Sequence, residues 1–274
     1  MNQIESTAAR LGIGPAHGGV SHGERMQNRR QIALIASLLL YAAGALIGTA
    51  FFALTVWSDY EAAMFDASLG GDRRFSTLRC PILIDSEETG YVSVTVKNQT
   101  DRPIERTIHI SKSGGFVTRV LKETQRIALA PGEERLIEWP ITQADAAWGH
   151  FILNRAYLVR HYPLPSLTGS CGVLAADLGI FTGNQVVAMV IAGSLLLMGG
   201  GGRWWLSVSR PLDERRRVAA QAMGWLAAVV LAGMISGIVG WWILGAILLV
   251  AAVLLIVIVA SGEPLQPLIG ARET

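Results

Sequence analysis

The chain reads as an integral membrane protein with four transmembrane α-helices and one extracytoplasmic, all-β, immunoglobulin-like sandwich. Three observations predict this. Of its 274 residues, 51% are hydrophobic and only 16% are charged, against about 25% charge in a soluble domain. That shortfall is concentrated in three long charge-free stretches, which fits membrane-crossing helices better than one large core. Between the first two of them, apolar residues begin to alternate in short runs broken by turn signals about every ten residues, as in a β-sandwich.

Residues 1–31 are polar and glycine-rich, with His17 and His22 among Gly12, Gly14, Gly18, Gly19 and Gly23. Too little apolar surface is present to offset the entropy of ordering, so a disordered cytoplasmic tail is expected. The two histidines read as tail residues rather than metal ligands. Residues 32–57 form the first transmembrane helix, longer than a signal-peptide core and without a clean cleavage site. Gly44 and Gly48 within it make a GxxxG pair that lets a second backbone approach.

Residues 58–75 are expected to be a juxtamembrane linker or short helix, and 76–179 the sandwich. Val92, Val94 and Val96 alternate with Ser93 and Thr95, and Ile108 and Ile110 share one face. Further short strands follow Gly114-Gly115 and the Pro131-Gly132 turn. A longer one covers 151–161, and a last short one lies near Cys171, some seven in all. The segment VTVKNQTDRPIERTIHI, with IALAPGEERLIEWPI some twenty residues on, resembles bacterial extracytoplasmic immunoglobulin-like domains of the CARDB type. There an Asn-containing turn joins two early strands and an A-P-G-E turn leads into a later one. The resemblance covers roughly residues 90–160. It implies an adhesive or interaction module and carries no catalytic residue across.

Residues 180–202 form the second transmembrane helix. Its four glycines, Gly199 to Gly202, read as a frayed end or hinge, because a phosphate loop needs a following Lys-Ser/Thr. Residues 203–217 form an Arg-rich cytoplasmic loop. Residues 218–240 and 241–260 are the third and fourth transmembrane helices, joined by a tight turn at Gly240 and Trp241, and 261–274 a cytoplasmic tail. The third carries a ladder of small residues, Gly224, Ala228, Ala232, Ser236 and Gly240, every fourth position. Such a stripe packs closely on another helix of the chain or on a second subunit.

Orientation follows from the arginines. Arg25, Arg29 and Arg30 precede the first run, and Arg203, Arg210, Arg215, Arg216 and Arg217 mark the loop between the second and third. Arginine-rich short loops stay in the cytoplasm, so both termini lie inside and 58–179 outside the cytoplasmic (inner) membrane. Cys80 and Cys171 then fall in an oxidising compartment, near the first and last strands, where a disulfide is expected.

Chemistry is sparse. Asp, Glu, Lys, Arg and His are missing from all four apolar runs, which removes proton relays, intramembrane proteolysis and haem ligation by paired histidines. His109 is expected to face solvent, and His150 and His161 are too far apart on one strand to share a metal. Glu87-Glu88 and Glu133-Glu134 read as solvated turn charges. Asn98-Gln-Thr100 is a glycosylation sequon only in a eukaryotic source. No catalytic, cofactor or metal site is expected, and a net charge of +2 is too small to point to nucleic acid. The sequence therefore predicts a non-enzymatic interaction or assembly protein. Its expected partners are membrane lipid and an extracytoplasmic or membrane protein, with a homo-oligomer as one form. An accessory component of a transporter or channel is the alternative.

Overall fold

The computed structural model describes residues 22–66, 68, 70–115, 119–211 and 213–261. Expectations for 1–21 (His17 included) and 262–274 lie outside these, as do the side chains of His22, Arg25 and Arg215. Four helices frame the chain: α1 (His22–Met64), α2 (Gly183–Val208), α3 (Glu214–Val239) and α4 (Trp242–Ser261). Eight strands lie between α1 and α2: β1 (Arg73–Arg74), β2 (Leu83–Asp85), β3 (Gly90–Lys97), β4 (Ile104–Gly114), β5 (Arg119–Leu129), β6 (Glu134–Ile141), β7 (Phe151–Leu158) and β8 (Leu167–Ala176).

The strands form two sheets. The larger runs β1-β8-β7-β4-β5, with β2 on the same edge of β8 as β1; the smaller is the antiparallel pair β3-β6. Val92, Val94 and Val96 of β3, with Ile137, Trp139 and Ile141 of β6, form one core with Ile108, Ile110, Ile127, Ile152 and Val173 of the larger sheet. This is the sandwich that the alternating valines and isoleucines predict. It has eight strands where seven were expected. The strand expected over 151–161 ends at Leu158, which leaves His150 and His161 flanking β7. The short strands expected after Gly114-Gly115 and before Pro131 are one continuous β5. The last strand, β8, has ten residues.

β7 is buried on both faces, which explains its lack of alternation. One face meets the β3-β6 pair. The other is covered by the end of α1, where Ala62 and Phe65 cluster with Ala147 and Leu153. Of the two expectations for the start of 58–75, a linker or a short helix, residues 58–64 take the helical one as a continuation of α1, which has 43 residues, about 65 Å at 1.5 Å per residue. A hydrocarbon core is about 30 Å thick, so the helix has length to spare, and its last two turns belong to the sandwich.

Among the described residues, three helices are long and apolar enough to cross a membrane: Asn28–Met64, Gly183–Val208 and Arg216–Val239. Trp242–Val257 is a shorter apolar helix. α1 packs against all three of the others. A Cβ at Gly44 would overlap the backbone of Ser194 and Met198 on α2, and one at Gly48 would meet Ser194, Val230 and Met234. Ser194 Oγ donates to Gly44 O at 2.8 Å. Gly201 lies on Ser37 and Tyr41, and α2 runs on to Val208. Gly199 to Gly202 are therefore helix interior, not a frayed end, and Gly201 is the one of the four at which the crossing of α1 requires a small residue.

The ladder on α3 divides. Ser236 is buried, whereas Gly224, Ala228 and Ala232 are exposed. α1 is met instead by the neighbouring face, with Gly233 against Phe52 and Gly237 against Thr55. Gly240 ends α3 in the left-handed region, at φ 73°, and makes the tight turn into α4.

Candidate functional site at the helix–sandwich boundary

The sandwich is bonded to three helix ends, each by a side chain whose charge suits the helix dipole. Arg155 of β7, itself buried, donates from Nη1 to Phe65 O at 2.9 Å and Ala63 O at 3.3 Å at the end of α1. Just beyond, Asp66 accepts from Ser111 Oγ of β4 at 2.9 Å and pairs with Lys122 Nζ of β5 at 3.2 Å. Glu88 Oε2 accepts from Gly183 N at 3.0 Å, at the start of α2. Asp85 beside it accepts from Leu178 N at 2.6 Å, and that bond holds its carboxyl below the usual range. Arg74 of β1 donates from Nη2 to Gly240 O at 2.7 Å, closing α3.

A cavity of about 520 Å³ lies inside this boundary. Its walls are α1 at Thr55 to Asp59, the segment from Arg74 to Ile82, β8 at Gly169 to Leu174, and the α3–α4 turn. Trp57, Tyr60, Trp241 and Trp242 gather at the same level, with Tyr60 5.7 Å from Trp242 edge to face. Aromatic side chains of this kind favour the membrane–water interface. Asp59 stands two residues past the charge-free 32–57 run, beside these aromatic side chains.

Asp59 is the cavity's buried acid. Oδ1 accepts from Gly172 N at 3.1 Å. Burial pushes the carboxyl up to about 6, against the opposing pull of that hydrogen bond and of Arg74. Gly172 is required here, because a Cβ would overlap the backbone of Ser58. Ser58 Oγ is itself buried without a hydrogen-bond partner. Cys80 and Cys171 line the same wall as a disulfide, with Cα atoms 6.5 Å apart.

The remaining sequence candidates fall elsewhere. Arg30 donates to Val208 O at 3.0 Å and Arg210 O at 2.9 Å, and Arg216 to Ser209 O at 3.0 Å. These two arginines of the predicted topology signal thus cap the C-terminal end of α2, away from the sandwich. Arg203 lies within α2 and Arg217 within α3, so the expected 203–217 loop is shorter than predicted; Arg29 and Arg210 are exposed. His109 faces away from the Ile108 and Ile110 core, as expected, and is half-buried there: Nδ1 lies 2.9 Å from Thr124 Oγ1 and the ring stacks on Tyr157. Asn98 is fully buried, and its Nδ2 donates to Arg102 O, Leu129 O and Ala130 O, so no glycan fits there. Among the described residues no group of His, Cys, Asp and Glu is placed to hold a metal ion.

Glu88, Arg155 and Arg74 are functional positions that the sequence reading missed. Glu88 reads as turn charge, and Arg155 gives no periodic signal in a strand buried on both faces. Only the partner carbonyls and N–H groups, far away in sequence, reveal their use.

No family model matches the chain. No curated protein matches it either. Among solved structures, part of the chain is similar to a β-glucosidase from Listeria innocua, at 19% identity, TM-score 0.27, over 36% of this chain and 15% of that one. It is likewise similar to a Paenibacillus cycloisomaltooligosaccharide glucanotransferase, at 9% identity, TM-score 0.29, over 40% and 15%. A third is the CARDB domain of a Pyrococcus furiosus protein in complex with di-metal ions, at 13% identity, TM-score 0.28, over 36% and 84%. The chain spans only 15% of the length of the two enzymes it resembles. Scores this low carry no argument about activity, and the sandwich rests on its own strand pairing.

Proposed function

We propose that the chain is a non-enzymatic, membrane-anchored interaction or assembly protein of the cytoplasmic (inner) membrane. Its four helices cross the bilayer, its termini lie inside, and its immunoglobulin-like sandwich is held outside for a membrane or extracytoplasmic protein partner. One observation carries this reading: the sandwich is bonded to the outer ends of α1, α2 and α3 by Arg155, Glu88 and Arg74. A module fixed in this way presents its edge strands at a set height and angle, and among the edges β3, β5 and β6 one is the most open. That strand is β5, whose residues Arg119 to Arg126 are exposed on both faces. Extended edges recognise partners by adding a strand, with main-chain bonds for affinity and alternate side chains for specificity.

The test is site-specific photo-crosslinking in native membranes, with the probe at Leu121 or Gln125 of β5 and a control at Leu136 of β6. A discrete crosslinked partner from the β5 positions alone supports the reading. Equal crosslinking from both strands, or none from β5, contradicts it.

A further inference from the structure

The cavity at the helix–sandwich boundary carries opposite charges, Asp59 and Arg74, on separate walls that form no ion pair among the described residues. Asp59 Oδ2 and Arg74 Nη2 lie 3.7 and 4.0 Å from the place that a Cβ on Gly240 would occupy. No ion pair joins Asp59 to Arg74 or Arg79 among the described residues. Gly240 is held in the left-handed region as the cap of α3, and its missing side chain leaves the space between carboxylate and guanidinium open. Oδ1 of Asp59 is satisfied by Gly172 N–H, whereas Oδ2 accepts no hydrogen bond among the described residues. Arg79 lines the same cavity with an exposed side chain.

An anion alone would meet the Asp59 carboxylate, and a cation alone would meet two guanidiniums. A ligand carrying both charges, a few bonds apart, satisfies both walls. The volume, about 520 Å³, is in the range of small-ligand sites. Trp241, Ile238 and Val239 complete the lining, and all three are half exposed on the apolar side. Acyl chains leaving the cavity would lie along α3 at the level of the aromatic side chains.

We propose that this cavity binds the headgroup of an amine-bearing phospholipid, with the ammonium donating to Asp59 Oδ2 and the phosphate accepting from Arg74 and Arg79. The inference rests on the membrane orientation proposed above. A quaternary ammonium has no N–H to donate, so phosphatidylcholine binds more weakly than phosphatidylethanolamine. Phosphatidylglycerol keeps the phosphate and loses the cation, with the same consequence.

The experiment uses the full purified chain in detergent, titrated with dioctanoyl phosphatidylethanolamine, phosphatidylcholine and phosphatidylglycerol, with binding read by native mass spectrometry. The expected result is about tenfold tighter binding of phosphatidylethanolamine, the worth of one charge-assisted hydrogen bond. Asp59→Asn removes that preference, and Arg79→Gln weakens phosphatidylethanolamine and phosphatidylglycerol alike. Because Arg79 is exposed, its variant tests the site even if Asp59→Asn does not fold. Equal binding of the three lipids, or a preference kept in both variants, overturns the proposal. Soluble phosphoethanolamine competing as well as the lipid overturns the lipid source. Alkaline carbonate extraction of native membranes separates the two readings. Release of the chain defeats the membrane reading itself, whereas retention without headgroup preference defeats only this site.

Discussion

The two ends of the helical layer are finished in different ways. At the end away from the sandwich, the inner end, Arg30 of α1 and Arg216 of α3 close α2 from exposed or half-exposed positions. At the outer end, α1, α2 and α3 are closed by Arg155, Glu88 and Arg74, which the sandwich supplies from far away in sequence. Caps of the first kind stabilise a helix. Those of the second kind also fix the position of another layer, because they join a helix end to the sandwich, whereas Arg30 and Arg216 join helix to helix. The difference teaches where coupling resides: a change at the outer ends should loosen the two layers, and one at the inner ends should not.

The largest effect is expected from Cys80→Ser with Cys171→Ser. The disulfide closes a loop with a sequence separation of 91, and in a chain-entropy picture its loss costs about 4 kcal/mol. Denaturant unfolding of the full chain, followed by tryptophan fluorescence, reads this directly. Next is Arg155→Met, which leaves the α1 carbonyls buried without a donor and should cost about 2–3 kcal/mol. Its sandwich signal should unfold before the helical circular dichroism, whereas the wild-type transitions coincide.

Asp59 gives a pH-dependent test. Its folded carboxyl lies at about 6, above its ordinary 3.8, so the folded state favours the neutral acid. The stability this contributes is present below about pH 4 and is lost as pH rises through 6. Asp59→Asn, which keeps an acceptor for Gly172 N–H, should match the wild type at pH 4. It should exceed it at pH 7.5 by up to about 2 kcal/mol, as read by melting temperature across that pH range. The smallest effect belongs to the inner end: Arg30→Ala should cost under about 1 kcal/mol, with the sandwich and helical transitions still coincident.

Much of this architecture is legible in the sequence, and the parts that are not have a common physical cause. Apolar length marks α1, α2 and α3, and the valine and isoleucine alternation marks β3 and β4, since both signals are local. Gly44 and Gly48 announce a close crossing, though not that α2 and α3 both meet it. The extension of α1 through 58–64 is hidden because its acidic and polar residues resemble a linker, while the residues that bury it, Ala147 and Leu153, lie far along the chain. The cavity is illegible for the same reason. Asp59, Arg74, Gly172 and Gly240 come from four separate elements, and only folding brings them around one space.

The sandwich and the helices are fixed together through the helix ends that Arg155, Glu88 and Arg74 close. Spin labels at Gln125 of β5 and Val218 of α3, with the chain in lipid nanodiscs, measure this by pulsed electron–electron resonance. One narrow distance distribution is expected in the wild type, broadened by Arg155→Met and unchanged by Arg30→Ala. A broad distribution in the wild type, or equal broadening by both substitutions, would contradict it.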